Sequence, residues 1–199
     1  PSTISLSQLG VDERLIDSLT ALVRDRATAE RPVVVYGDYD ADGITATAIL
    51  WEMLRAAGVP AMPFIPSRIN HGYGLSRRGV DEAMAQHHPS LLVTVDNGIT
   101  ALDATRYAQE QGARVVVIDH HDRPETLHPA DLVIHSSLVS GAGLTWFVSQ
   151  KLRSRLPQKF ALLNTLELAA IGTVTDLVPL LGPSRALVKH GLADLQHTD

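Results

Sequence analysis

Val33-Val34-Val35-Tyr36-Gly37-Asp38-Tyr39-Asp40-Ala41-Asp42-Gly43 carries an apolar run that breaks into three aspartates at alternating positions. Four β-prone residues bounded by glycine read as a buried strand. From Gly43 the pattern changes to Ile44-Thr45-Ala46-Thr47-Ala48-Ile49-Leu50 and runs on to Leu54, which reads as a helix. Strand, acidic loop and helix form the βα unit of an open parallel sheet, where ligands bind beyond the carboxyl ends of the strands. Asp38, Asp40 and Asp42 repel one another, and a divalent cation makes their crowding tolerable. The alternative is a polar turn in which one aspartate caps the helix.

Working outward, Val59–Ile65, Leu91–Val95, Arg114–Ile118 and Leu132–His135 read as further strands. Ser76–His88, with Ser76 as its cap, and Thr100–Gln111, closed by Gly112, read as the helices between them. The fold class is α/β, a parallel sheet flanked by helices, with a mostly helical part from about Gly141. That part contains a helix around Leu144–Leu152, one over Phe160–Ile171 and one over Arg185–Leu195. Residues 1–30 read as a lead-in with one amphipathic helix (Leu15, Ile16, Leu19, Leu22, Val23), its end favoured by Arg24 and Arg26. Residues 31–199 form the main domain.

Composition narrows the classes. The 199 residues hold no cysteine, which excludes disulfides, thiolate zinc sites and thiol nucleophiles. No apolar run reaches the ~18 residues of a membrane span. The first residues lack the basic-then-apolar pattern of a signal peptide, so the expected location is cytoplasmic. A net charge of −5 opposes a general electrostatic grip on nucleic acid. Two bound divalent cations would offset most of it, within one cleft.

Three strands end in acids or imidazoles: Asp38/Asp40/Asp42, Asp96, and Asp119/His120/His121. In a parallel sheet those ends share one edge. Asp176 is an isolated acid in an apolar stretch. Oxygen-rich ligands with one or two imidazoles suit Mn²⁺ best and Mg²⁺ next. A pair of such ions can clamp a phosphate and activate water. Asp119-His120-His121 taken alone reads more readily as a capped turn with solvated histidines. A Ser-His-Asp triad has no G-x-S-x-G turn to carry it. In Pro66–Leu75, Gly72 and Gly74 flank Tyr73, so the backbone can approach a ligand, with Tyr73 as stacking face and Arg68 as phosphate fork. A tight surface turn is the alternative.

Gly37–Gly43, Val95-Asp96-Asn97-Gly98, Asp119-His120-His121 and Gly172–Asp176 together resemble, in order, the four motifs of the DHH phosphoesterase superfamily. Asp-Tyr-Asp-Ala-Asp-Gly, Arg68 with Gly72-Tyr73-Gly74-Leu75, and Asp176–Leu180 are similar to its RecJ-like branch of single-strand-specific 5′→3′ DNA exonucleases. The likeness runs from about Arg31 to Leu195. It implies two Mn²⁺ or Mg²⁺ ions held by Asp38, Asp40, Asp42, Asp96, His120 and Asp176, with Asp96 shared between them. It makes Asp96, His120 and His121 catalytic, His121 touching the scissile phosphate, and has Asp119 orient a histidine. Arg68, Tyr73, Gly74, His121 and the helix start at Gly141 and Gly143 would hold substrate.

The implied substrate is single-stranded DNA in repair or recombination, with a single-strand-binding protein or helicase as partner and no membrane. The sequence departs from the branch at Tyr36, where many members carry histidine, and in a short 135–140 segment without Asn-Pro. The second, DHH-associated domain and an OB-type domain are expected to be absent. Metal binding should then persist while processive digestion is weak. The alternatives are a small phosphoesterase for oligonucleotides, cyclic dinucleotides or pyrophosphate, and a non-catalytic scaffold. The intact motif acids disfavour the scaffold.

Overall fold

Val33 and Val35 pack into one core and Val34 and Tyr36 into another, so β1 (Val33–Tyr36) is covered on both faces. Such double burial is the mark of a parallel sheet between helical layers. The computed structural model describes residues 3–25 and 31–196 and contains that sheet. After a 3₁₀ turn (Leu6–Leu9) and α1 (Glu13–Arg24) come β1, α2 (Ala41–Ala56), β2 (Ala61–Phe64), α3 (Arg68–His71), α4 (Arg77–His87) and β3 (Leu91–Val95). They are followed by α5 (Leu102–Glu110), β4 (Arg114–Asp119), β5 (Leu132–His135), α6 (Gly141–Arg153), α7 (Leu166–Thr175) and α8 (Gly182–Leu195).

All strand pairs are parallel, in the order β2-β1-β3-β4-β5. Val33 aligns with Leu91 and Tyr36 with Thr94, so the acidic segments after β1 and β3 start side by side. The chain leaves β1 for β2 on one side and returns to β3 on the other. A crevice opens between their carboxyl ends at that reversal. One face carries α1, α2, α6, α7 and α8, which supply Ile16, Ile49, Phe147, Ala169 and Leu187. The other carries α4 and α5 through Val80, Ala83, Ala104 and Ala108.

Most expected elements are present, with differences that have local causes. Helix α2 starts at Ala41 rather than Gly43, because Asp40 is its cap and accepts the Gly43 N–H at 2.9 Å. Its end closes at Gly58, which takes φ +72°. The helix expected over Phe160–Ile171 begins only at Leu166. The Lys159 and Phe160 N–H groups donate instead to the Ala56 carbonyl, and Leu163 N–H donates to Glu52 Oε1 at 3.0 Å. The segment thus satisfies the end of α2 rather than forming its own helix. Loop 66–75 contains a helical turn capped by Ser67. Helix α8 starts at Gly182, with Pro183 in its first turn. Arg26 and the lead-in boundary at residue 30 lie outside the described residues.

Candidate functional site

Backbone amides and glycines assemble the acids at the strand ends. Asp42, in the first turn of α2, is buried. Its Oδ2 accepts the Gly141 N–H at 2.7 Å and its Oδ1 the Ala142 N–H at 3.0 Å. The positive end of α6 therefore points at the Asp42 carboxylate. Three glycines permit this closeness. A Cβ at Gly172 would lie 2.5 Å from Asp42 Oδ1, one at Gly43 2.5 Å from the Asp38 nitrogen, and one at Gly141 would collide with the Asp96 carboxylate. This corrects the phosphate-binding expectation for Gly141 and Gly143. Gly141 N–H is committed to Asp42 and Gly143 N–H to Ser140 Oγ, and both residues are buried.

Asp96 follows β3 with φ +62°, a left-handed backbone that a non-glycine residue adopts at a cost of about 1–2 kcal/mol. Its carboxyl is 2% exposed. Burial, then the charges of Asp42, Asp40 and Asp119, push it up to about 11. His120 Nε2 lies 3.1 Å from Asp96 Oδ1, 3.6 Å from Asp176 Oδ2 and 3.9 Å from Asp42 Oδ2. Despite that proximity, Asp96 Oδ1, His120 Nε2 and Asp176 Oδ2 are all buried without a hydrogen-bond partner. Each such orphan costs about 1–3 kcal/mol. Asp96 Oδ1 and Asp176 Oδ2 each face His120 Nε2, and buried carboxylate oxygens without a partner suit cations as partners. Asp176 caps the end of α7, and burial raises its carboxyl in spite of His120.

Ligand atoms of Asp42, His120 and Asp176 lie within 4.8 Å of one another, and so do those of Asp96, Asp119, His120 and His121. Asp38 and Asp40 fall outside both groups. Asp38 is buried, its Oδ1 accepts the Tyr39 N–H at 2.7 Å, and burial raises it. Asp40 is exposed at the rim, occupied in part by its capping bond.

Asp119 is engaged on both oxygens. Oδ1 accepts from His120 N–H (2.7 Å) and His121 N–H (3.2 Å) and meets His121 Nδ1 at 2.7 Å. Oδ2 accepts Ile99 N–H at 2.9 Å. Burial works to raise this carboxyl, but those bonds outweigh it and the net shift is downward. The ionised Asp119 makes Nδ1 of His121 the proton donor and aims Nε2 at the Tyr73 hydroxyl, 3.1 Å away. The same bond raises His121, against its partial burial.

The substrate-side residues form a row. The Arg68 guanidinium sits 5.3 Å from the Tyr39 ring centre. Tyr39 and Tyr73 meet edge to face at 6.4 Å, as do Tyr73 and His121. Gly72 and Gly74 both take positive φ, +81° and +60°. Tyr36 is buried, and its hydroxyl donates to the Gly74 carbonyl at 3.3 Å, so it braces this loop from below. A cavity of about 270 Å³ opens beside the row, lined by Tyr73, Gly98, Ile99, Thr100, His121 and Asp122 among others. Sequence reasoning missed Tyr39 and His135, whose Nε2 donates to the His121 carbonyl at 2.7 Å. Tyr39 was signalled by its place between two motif acids. His135 had only its position at the end of β5.

A five-stranded doubly wound sheet with an aspartate–histidine cluster at its topological reversal defines a class: α/β proteins with a strand-end site for divalent cations. Within that class, residues 32–173 match the model of the DHH family, N-terminal domain, and the chain belongs to that family. It is 40% identical over 184 residues to the single-stranded-DNA-specific exonuclease RecJ of Thermus thermophilus, covering 87% of this chain and 26% of that protein. A solved exonuclease RecJ bound to manganese superposes with TM-score 0.77 at 40% identity, over 90% of this chain and 47% of that one. RecJ from Thermus thermophilus in complex with Mg²⁺ gives 0.58 at 33% identity, over 90% and 23%. The chain thus spans about a quarter of the length of the curated relative.

Proposed function

We propose that this chain is the catalytic core of a metal-dependent phosphodiesterase acting 5′→3′ on single-stranded DNA, in repair or recombination. The observation that carries the reading is the convergence of three unpartnered buried atoms, Asp96 Oδ1, His120 Nε2 and Asp176 Oδ2. Asp40, Asp42, Asp96, His120 and Asp176 would hold two Mn²⁺ or Mg²⁺ ions, with Asp38 buried beside them. Bound there, the ions supply Lewis-acid stabilisation of phosphoryl charge and an activated water. The relatives with metal in their solved structures support the choice of ion.

The chain's own groups do the rest. Asp119 fixes the ring of His121 and favours its charged form, so Nε2–H can donate to a phosphate oxygen that displaces the Tyr73 hydroxyl. Arg68 and the two tyrosines offer a cation and stacking faces to one nucleotide. Residues 31–199 would act as one domain, in the cytoplasm, with a helicase or single-strand-binding protein presenting the strand. No helix among the described residues is long and apolar enough to cross a membrane.

Calorimetric titration with Mn²⁺, alongside digestion of a 5′-labelled single strand and of a dinucleotide, tests this reading. Expected are Mn²⁺ binding that Asp96→Asn removes, and metal-dependent release of mononucleotides. Hydrolysis that survives chelation, or Mn²⁺ binding indifferent to Asp96→Asn, would refute it.

A further inference from the structure

A second cavity, of about 330 Å³, lies next to the one beside His121. It is lined by Ile99, Arg123, Leu127, His128 and Val133 among others. The two share Ile99, and Asp122 of the first precedes Arg123 of the second. They are also joined by a bond, since His128 Nε2 donates to the Gly98 carbonyl at 3.0 Å. His128 Nδ1 accepts the Ala130 N–H at 3.1 Å, which fixes the ring as the neutral Nε2–H tautomer and ties loop 122–130 to the end of β3. Loop 122–130 thus walls a groove that adjoins the His121 cavity at Ile99.

Its lining pairs one guanidinium with apolar surface. Arg123 is exposed and forms no ion pair or side-chain hydrogen bond among the described residues. Leu127 is 91% exposed, beside the apolar surface of Ile99 and Val133. A single exposed leucine needs no explanation, but here it stands at a groove with an unpaired guanidinium. Asp122 and Glu125 also line the walls. They disfavour a phosphate elsewhere in the groove and leave Arg123 as the one cation there that could hold one.

We infer that this groove is a second nucleotide subsite. It takes the nucleotide that adjoins the scissile phosphate on the side away from Tyr73, with Arg123 on that nucleotide's outer phosphate and Leu127 against its base. The inference rests on the reading of the strand-end cluster as a single-strand phosphodiesterase and extends it, because nothing in the motifs marks Arg123 or Leu127. A strand would then lie across the cluster with one nucleotide on the tyrosine row and the next in the groove.

Binding of a hydrolysis-resistant phosphorothioate ladder of thymidylates, one to four nucleotides long, with Mn²⁺ present, tests the subsite over a range of salt. In the wild type, affinity should rise from one nucleotide to three. Arg123→Ala should lower the slope of log affinity against log salt by about 0.7 for the three- and four-nucleotide ligands, and leave it unaltered for the mononucleotide. Arg123→Lys should restore the slope, and Leu127→Asp should remove the gain with length. Arg153→Ala, an exposed arginine at the far end of α6, is the control for net charge. Mn²⁺ titration of each variant reports that the fold and metal site are intact. If Arg123→Ala and Arg153→Ala give the same slope, the subsite is wrong while the reading of the cluster stands. If the wild type binds no member of the ladder, both fall together.

Discussion

The strand-end cluster and the tyrosine row lie side by side but are built differently. Asp42 and Asp119 are buried and held by backbone amides, with buried Asp96 and the His120 ring packed beside them, while Tyr73 is 61% exposed and Arg68, among the described residues, lies against the Tyr39 ring. The cluster carries unsatisfied atoms and strain at Asp96, whereas the row shows neither among the described residues. A cation needs ligands in place before it arrives, because reorganising buried carboxylates is costly. A flexible strand can be met by exposed aromatic faces that adjust as it binds. The difference separates what must be prebuilt from what can be left open.

The sharpest break between the two regions is Asp96→Asn. It should remove several kcal/mol of transition-state stabilisation, about a thousandfold in rate, if the cluster holds the metal. The same variant should melt higher than the wild type in a chelator, since it removes a buried carboxylate crowded by Asp42, Asp40 and Asp119.

Acidity offers a second test on chelated protein. Asp96 is raised above its unfolded value of about 4, so its folded state takes up a proton and its contribution is lost as pH rises toward about 11. His121 is also raised and contributes below about 6.5, a contribution lost as pH rises through its folded value. Asp119 is lowered and contributes above about 4, a contribution lost as pH falls. Metal-free stability should therefore be highest near pH 4 and decline above it, by about 1.4 kcal/mol per pH unit from Asp96 alone. With Mn²⁺ the trend should reverse, because the ligands must be deprotonated. Melting curves from pH 5 to 8, with chelator and with Mn²⁺, would show whether the two lines cross.

Much of this layout was legible. The apolar run Val33–Tyr36 and the acids after three strands located the crevice, because a parallel sheet leaves few places for such groups to meet. The misread helix at Phe160 could not have been avoided from local pattern. Its backbone N–H groups are claimed by Ala56 and Glu52, more than 100 residues earlier in the chain. Gly141 failed for a related reason. A glycine-rich helix start invites an anion, but the anion it found is Asp42, 99 positions away. The Arg68–Tyr39 stack was equally hidden, since nothing in loop 66–75 says which ring the guanidinium covers.

Two smaller changes sharpen the contrast. Gly141→Ala should weaken Mn²⁺ binding and destabilise the fold by about 1–3 kcal/mol, because its methyl group meets the Asp96 carboxylate at a helix start that cannot retreat. Tyr73→Ala should weaken single-strand binding by about 1–3 kcal/mol, the worth of one stacked base, and leave Mn²⁺ affinity as it was. Equal effects of both variants on metal binding would erase the distinction between the two regions.

Anomalous scattering at the manganese edge, from crystals grown in Mn²⁺, tests the central claim most directly. The account predicts two peaks in the crevice between β1 and β3, ringed by Asp40, Asp42, Asp96, His120 and Asp176. Peaks only on other surfaces of the folded protein, with Asp96 Oδ1, His120 Nε2 and Asp176 Oδ2 still unpartnered at saturating Mn²⁺, would contradict it.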